Sequence, residues 1–376
     1  MHLKNVANLV IVGGAVLATA HPGHEEKRAA SDLLAFKANM RRGLEKCAAR
    51  FESSGLNARA EARRRALVDS HRKRLAARDT SSVLSTNHNE TGNGITADSS
   101  ESEIFGTSSS CVLNPEGETG PYYVPGEYVR SDLRESQPGV PVTIEGQFVD
   151  VETCEPITDL YWDIWNCNAT GVYSGLVATG NGNTADTSNL NATFLRGIQK
   201  TDSDGVVTFN TLFPGHYSGR TTHHHMVAHL DVTVQENNTI TGGTVAHIGQ
   251  IFWDQDLINA VEATSPYNEN TVTLTTNAED RVFSDETENS TSDPVLNYVY
   301  IGDDLSDGLF GWITIAVNVS ATYDPNYSFI YTSSGGEAVD DSSSSTGGSA
   351  PGGSGSSGSG GPGGSGQSSG GQPGGF

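Results

Sequence analysis

The sequence predicts a mainly β fold, an antiparallel β-sandwich that carries the chemistry, preceded by a short helical N-terminal segment. Three observations predict it. Between about 105 and 330 the chain breaks into short runs rich in β-branched and aromatic residues: VPVTIEGQFVDV, LYWDIWNC, VVTFNTL, HMVAHLDVTVQ, TVTLTT, LNYVYIG and GWITIAVNVS, separated by Gly, Asn, Asp and Pro. That texture suits half-buried strands joined by tight turns. Upstream, Leu33, Phe36, Met40, Leu44, Cys47 and Phe51 recur at three- and four-residue steps, the period of an amphipathic helix. Downstream, Gly, Ser and Pro take over and leave too little apolar surface to repay ordering.

Taken in order, residues 1–20 hold one basic residue, Lys4, and the apolar run LVIVGGAVLATA ending in small residues. This is the pattern of a secretory signal peptide, so the expected mature start is His21 and the expected location is extracellular. Residues 21–78 read as a basic helical segment. In it SDLLAFKANMRRGLEKCAARFESSG forms one helix, opened by Ser31 and closed near Gly55, and an Ala- and Arg-rich helix runs on to about Arg78. The dibasic pairs Lys27-Arg28 and Lys73-Arg74 make the segment a candidate propeptide, although solvated helix charges are the commoner meaning of such pairs. Residues 79–104 are polar and turn-forming and read as a linker. The sandwich is expected over 105–330, and 331–376 as a Gly/Ser/Pro-rich disordered tail that lacks the apolar stretch of a lipid-anchor signal. No segment after the leader approaches the roughly 20 apolar residues of a membrane span.

Four cysteines, Cys47, Cys111, Cys154 and Cys167, favour two disulfides in an oxidising compartment. Three pairings exist and the sequence does not choose among them; Cys154 with Cys167 and Cys47 with Cys111 is the preferred one. Seven N-x-S/T sequons (Asn89, Asn168, Asn191, Asn237, Asn289, Asn318 and Asn326) fit a glycosylated secreted protein. Charge is uneven: residues 21–79 hold fifteen Lys and Arg against eight acids, a net +7, whereas everything beyond carries six bases against 37 acids, a net −31. A body that acidic repels polyanions and excludes a nucleic-acid function.

The densest chemistry lies in FPGHYSGRTTHHHMVAH, residues 213–229, with five of the eleven histidines. On a strand His223 and His225 face one way and His224 the other, so an H-x-H pair offers one metal ion two imidazoles on a rigid support. An isolated H-x-H is more often a polar patch or a satisfied core pair, and Tyr173 and Tyr217, taken alone, are ordinary core or surface tyrosines.

The order and spacing of GPYYV, DIWNCNATGVYSG, LRGIQKTDSDGVVTF, FPGHYSGRTTHHH and GQIFWD over residues 120–254 reverse that balance. Together they resemble the intradiol ring-cleaving aromatic dioxygenases, the catechol and protocatechuate group, most closely their secreted single-chain fungal type. The likeness is strong from Cys111 to Asp254 and continues toward Ser320. It implies a non-haem Fe(III) held on a β-sandwich by Tyr173, Tyr217, His223 and His225. It also implies that Arg220 and Gln250 act catalytically, and that Tyr217 leaves the metal and takes up a substrate proton. The implied reaction opens a small aromatic diol with O2 to a muconic-acid-type product. Phenolate is a hard, strongly donating anion that favours Fe(III), consistent with such a ligand set.

The chain departs from the pattern at Thr221-Thr222 and His224, where many relatives carry Pro-Ala and an aliphatic residue. Tyr217 precedes His223 by only six positions, which implies a more open pocket. Tyr122 and Tyr123 shape the substrate entrance or pack as rings at a turn, and Trp165 is expected in the core. Two other classes compete. One is an inactive, glycosylated sandwich serving as a binding module, and the other a secreted copper monooxygenase chelating metal through a terminal His21.

Overall fold

A computed structural model describes residues 30–76, 110–111, 119–178, 180–182, 186–287 and 294–339. The leader with His21, the Lys27-Arg28 pair and the 79–104 linker lie outside the described residues. Two sheets make the body. The first has the order β1 (Ser110–Cys111), β11 (Leu309–Val317), β2 (Pro141–Asp150), β5 (Val206–Leu212), and β10 (Asn297–Tyr300) also pairs with β11. The second runs β4 (Arg196–Lys200), β3 (Tyr161–Trp165), β6 (His223–Leu230), β9 (Thr244–Phe252) and is antiparallel throughout, with β7 (Thr233–Val234) and β8 (Ile240–Thr241) pairing as a short ribbon in the β6–β9 connection. The mainly β sandwich of the sequence reading is therefore what the chain forms. In the first sheet, however, β11 runs parallel to both β2 and β1, which local alternation does not reveal.

Between the sheets lies a core of Ile144, Phe148, Trp162, Ile164, Phe209, Met226, Ile251 and Ile313. Trp162 stands edge-on to Phe148 and Phe209 at ring separations of 5.3 and 5.4 Å, geometry favoured by the ring quadrupole. Gly146 on β2 makes room for it, since a Cβ there would sit 2.3 Å from the indole. Met226 and Ala228 of β6 enter this inter-sheet core. Strand alternation then turns His223, His225 and Val227 to the opposite, outer face of the second sheet.

The helices α1 (Ala30–Ser53) and α2 (Leu56–Ala76) cover the first sheet. Met40, Cys47, Phe51 and Leu56 pack on Val149, Val151 and Ala316, and Val68 on Phe310 and Trp312. Buried Arg64 donates to Glu145 on β2 at 2.8 Å, and Arg63 donates to the same carboxylate at 3.1 Å. The disulfide joins Cys47 to Cys154 across 107 residues, so both members of the preferred pairing are corrected. Cys154 follows β2 at the end of the first sheet, against α1, whereas Cys167 follows β3 and stays free and buried. The side chain of Cys111 lies outside the described residues.

The Gly-rich region also starts later than its composition suggests. Residues 329–338 form a hairpin of β12 (Phe329–Thr332) and β13 (Gly335–Ala338). Gly336 lies so close to Gly175 that a Cβ would stand 1.8 Å from its carbonyl oxygen. Glycine here serves close packing rather than disorder. Among the described residues, no helix is long and apolar enough to cross a membrane.

Candidate metal centre

His223 and His225 come from the start of β6, and both are buried. Tyr173 comes from the loop after β3, and its backbone is clasped by the Asn181 side chain, which accepts from Tyr173 N at 2.7 Å and donates to its carbonyl at 2.9 Å. Tyr217 comes from the turn before β6, closed by Arg220 N to Tyr217 O at 3.3 Å. The four side chains meet in a chain of donor atoms. Tyr217 Oη lies 3.4 Å from His223 Nε2, His223 Nε2 3.0 Å from His225 Nε2, and His225 Nε2 3.1 Å from Tyr173 Oη.

Such separations suit donors that each approach a common first-row ion to about 2 Å, since adjacent donors then lie roughly 3 Å apart. Among the described residues no three of His, Cys, Asp or Glu converge into a metal-binding group. The set is complete only with its two phenols, and two imidazoles with two phenols are hard enough for a ferric ion. The residues present therefore fit the cofactor that the resemblance implies.

Protonation is arranged to suit. His223 Nδ1 lies 2.6 Å from the Thr221 carbonyl and so carries the proton, leaving Nε2 its lone pair. Burial, with the Arg220 cation adding to it, lowers His223 to about 3, and burial followed by the His223 and Arg220 charges holds His225 well below the ordinary imidazole value. Both rings therefore stay neutral. Burial drives the Tyr173 hydroxyl well above the ordinary phenol value, so its proton stays until a cation replaces it.

Aromatic packing fixes the rings. Trp165, paired with His225 across β3 and β6, stacks on it with centroids 4.9 Å apart. Tyr122 stacks on Tyr173 at 4.7 Å and meets Tyr217 edge-on at 5.3 Å, so it forms a wall of the site, with its buried hydroxyl lacking a hydrogen-bond partner among the described residues. Tyr123 instead packs on Trp165 and donates to Asp163 at 3.3 Å, beneath the site. Gly120 (φ +72°) roofs His225, where a Cβ would stand 3.0 Å from His225 Cε1.

Each phenol has its own buried arginine. Arg220 Nη1 donates to Tyr217 Oη at 3.4 Å, Nη2 to Gln250 Oε1 at 2.5 Å, and Nε to Asp280 at 2.8 Å. Arg196 lies over the Tyr173 ring at 5.8 Å and pairs with Glu127 at 2.8 Å. All six residues singled out in the sequence, Tyr173, Tyr217, Arg220, His223, His225 and Gln250, are thus in one place. His224 points away and its Nδ1 lies 3.1 Å from Asn166 Oδ1. His229 pairs with Asp163 at 3.4 Å, so neither joins the set. Sequence reasoning missed Asp280, Arg196 and Glu127. Arg196 and Glu127 carry the faint signal of a basic and an acidic residue inside otherwise apolar segments, and Asp280 sits in a polar stretch and carries none.

Part of the chain is similar to known proteins. Residues 119–256 match the family model described as Dioxygenase. An intradiol ring-cleavage dioxygenase from Tetranychus urticae shares 32% identity over 57% of this chain and 96% of its own, with a TM-score of 0.45. The chain belongs to the intradiol ring-cleaving dioxygenase family. Membership rests on sequence identity and coverage rather than on superposition. The dioxygenase domain of a dioxygenase carbohydrate-binding protein fusion from Streptomyces sp. SirexAA-E is also similar to this intradiol dioxygenase family member, at 26% identity over 53% of this chain and 94% of its own, TM-score 0.34. A catechol 1,2-dioxygenase from Acinetobacter shows 17% identity over 55% and 65%, TM-score 0.36. No curated protein sequence matches the chain.

Proposed function

We propose that the protein is an extracellular non-haem Fe(III) enzyme that cleaves catechol-type aromatic diols with O2 between their two hydroxylated carbons, giving muconic-acid-type dicarboxylic acids. The observation that carries this reading is the meeting of Tyr173, Tyr217, His223 and His225 within 3.0 to 3.4 Å along one chain of donor atoms. The reaction balances without a reductant, because the diol supplies four electrons and both oxygen atoms enter the product.

Tyr173, Tyr217, His223 and His225 would hold the iron. Ferric ion, when bound there, supplies the Lewis acidity that favours loss of the diol protons and makes the ring reactive toward O2. The remaining work belongs to the chain. Tyr217 is the phenol assigned the proton-accepting role, because Arg220 Nη1 donates to its oxygen and can hold it as phenolate until a substrate proton arrives. Arg220, a buried cation, stabilises negative charge that develops next to that oxygen, and it orients Gln250 by a charge-assisted bond. Among the described residues no arginine donates to the Tyr173 oxygen, and its ring is held by Arg196 and Tyr122, which suits a ligand that stays in place. Trp165 and Tyr122 keep the rings aligned and water out.

The apolar leader and the Cys47–Cys154 disulfide support passage through an oxidising compartment. A degraded site would have required the binding-module reading, and none of the four donors is missing. His21, on which the copper reading depends, lies outside the described residues. Oxygen uptake by iron-loaded protein across a panel of catechols and hydroxyquinols tests the proposal. One O2 consumed per diol with formation of a dicarboxylic acid is expected. Full iron occupancy with no uptake on any diol contradicts it.

A further inference from the structure

Asp280 lies outside the segment matched to the family, between the helices α3 (Gln255–Glu262) and α4 (Arg281–Thr287) and immediately before the latter, and is buried. Its carboxylate gathers four donors. Oδ2 accepts from Arg220 Nε at 2.8 Å and from Thr221 N at 2.7 Å, while Oδ1 accepts from Phe283 N at 2.8 Å and from Arg220 Nη2 at 3.4 Å. A single side chain thus starts α4, fixes the backbone two residues before His223, and grips one edge of the guanidinium. Next to it, Thr221 Oγ1 donates to Asn277 Oδ1 at 2.7 Å and Asn277 Nδ2 donates to the Trp253 carbonyl at 2.9 Å, so this segment is bolted to the end of β9 as well.

We propose that Asp280 is a positioning residue for ring cleavage, holding the Nε edge of Arg220 so that Nη1 stays aimed at Tyr217 Oη and Nη2 at Gln250. This rests on the dioxygenase reading above. A guanidinium presents its donors in a rigid planar fork, so clamping the Nε edge sets the direction of Nη1. The burial that makes Arg220 useful also makes an unpaired cation costly, and Asp280 removes that cost without touching Tyr217. Second-layer carboxylates of this kind commonly matter tenfold to a hundredfold in activity or metal affinity.

The test uses the full chain in two arms. In the first, iron-loaded Asp280→Asn is compared with wild type, with Asp285→Asn as a control on the same helix. The expected result is a roughly tenfold to hundredfold fall in kcat with KM changed less than about threefold, together with a displaced tyrosinate-to-iron absorption band. The control should match wild type in every readout. A kcat and band equal to wild type overturn the proposal. In the second arm, hydrogen exchange at Arg220 Nε is followed by nitrogen-15 NMR in metal-free wild type. It should be far slower than at exposed Arg134, which pairs with Asp132, and equal rates overturn the grip even if the Asn variant fails to fold. Wild type that holds no iron or consumes no O2 sinks the dioxygenase reading instead, and the exchange arm still decides the role of Asp280.

Discussion

Trp165 lies face to face with His225, their planes 2° from parallel and their centroids 4.9 Å apart. The pairing follows from register, because the two residues are opposite one another on β3 and β6. An indole in that position restricts the imidazole to one tilt and so presets Nε2 toward His223 and Tyr173. An aromatic pair of this type is worth about 0.5–1.5 kcal/mol beyond its buried area. Trp165→Phe should therefore release iron more readily, with a dissociation constant raised about twofold to tenfold in chelator competition. An unchanged constant would show that the stacking does not preset the ligand.

Iron uptake should depend on pH through phenol rather than imidazole. Burial holds the Tyr173 proton well above the ordinary phenol range, so binding must expel it. His223 is lowered to about 3 and His225 well below its ordinary value, so neither competes for protons above about pH 5. The apparent affinity should rise at least about tenfold per pH unit between pH 5 and 8. A plot that levels off above pH 6.5 would mean that histidine protonation governs the site.

Metal-free protein should lose stability in acid. His247 is buried and lowered by that burial to about 4, with Nε2 lacking a hydrogen-bond partner among the described residues. Its folded value is depressed, so the unfolded chain binds the extra proton. The stability it permits is intact above about pH 6.5 and lost as pH falls toward about 4, up to about 3 kcal/mol. His247→Gln should shrink the drop in melting temperature between pH 7.5 and 5, and an equal drop in both proteins would contradict this.

Opening the Cys47–Cys154 bridge should loosen the helical cover. A loop of 107 residues corresponds to about 5 kcal/mol in the chain-entropy view. Cys47→Ser with Cys154→Ser should lower the denaturation midpoint while leaving the iron band in place, since the bridge lies on the first sheet and the proposed metal site on the second. Simultaneous loss of iron would show that the two faces are coupled.

Much of the site could be read from local pattern. Strand alternation alone separates His223 and His225 from His224, and the structure sends His224 toward Asn166 and Trp253 as that alternation requires. The tyrosines became legible only through their order along the chain, because a phenol in a loop carries no periodicity. What was illegible is long-range. Asp280 reaches Arg220 across sixty residues, and Glu127 reaches Arg196 across 69. Cys154 pairs with Cys47 because α1 is laid over the first sheet, a packing choice that cysteine spacing does not record.

The most direct test of the account is the visible spectrum of the protein loaded with one equivalent of ferric iron, alongside Tyr173→Phe and Tyr217→Phe. The account predicts a wine-red protein with a tyrosinate-to-iron charge-transfer band that each substitution weakens and shifts. A colourless ferric protein, a blue-green protein that takes copper instead, or a band untouched by either substitution would contradict it.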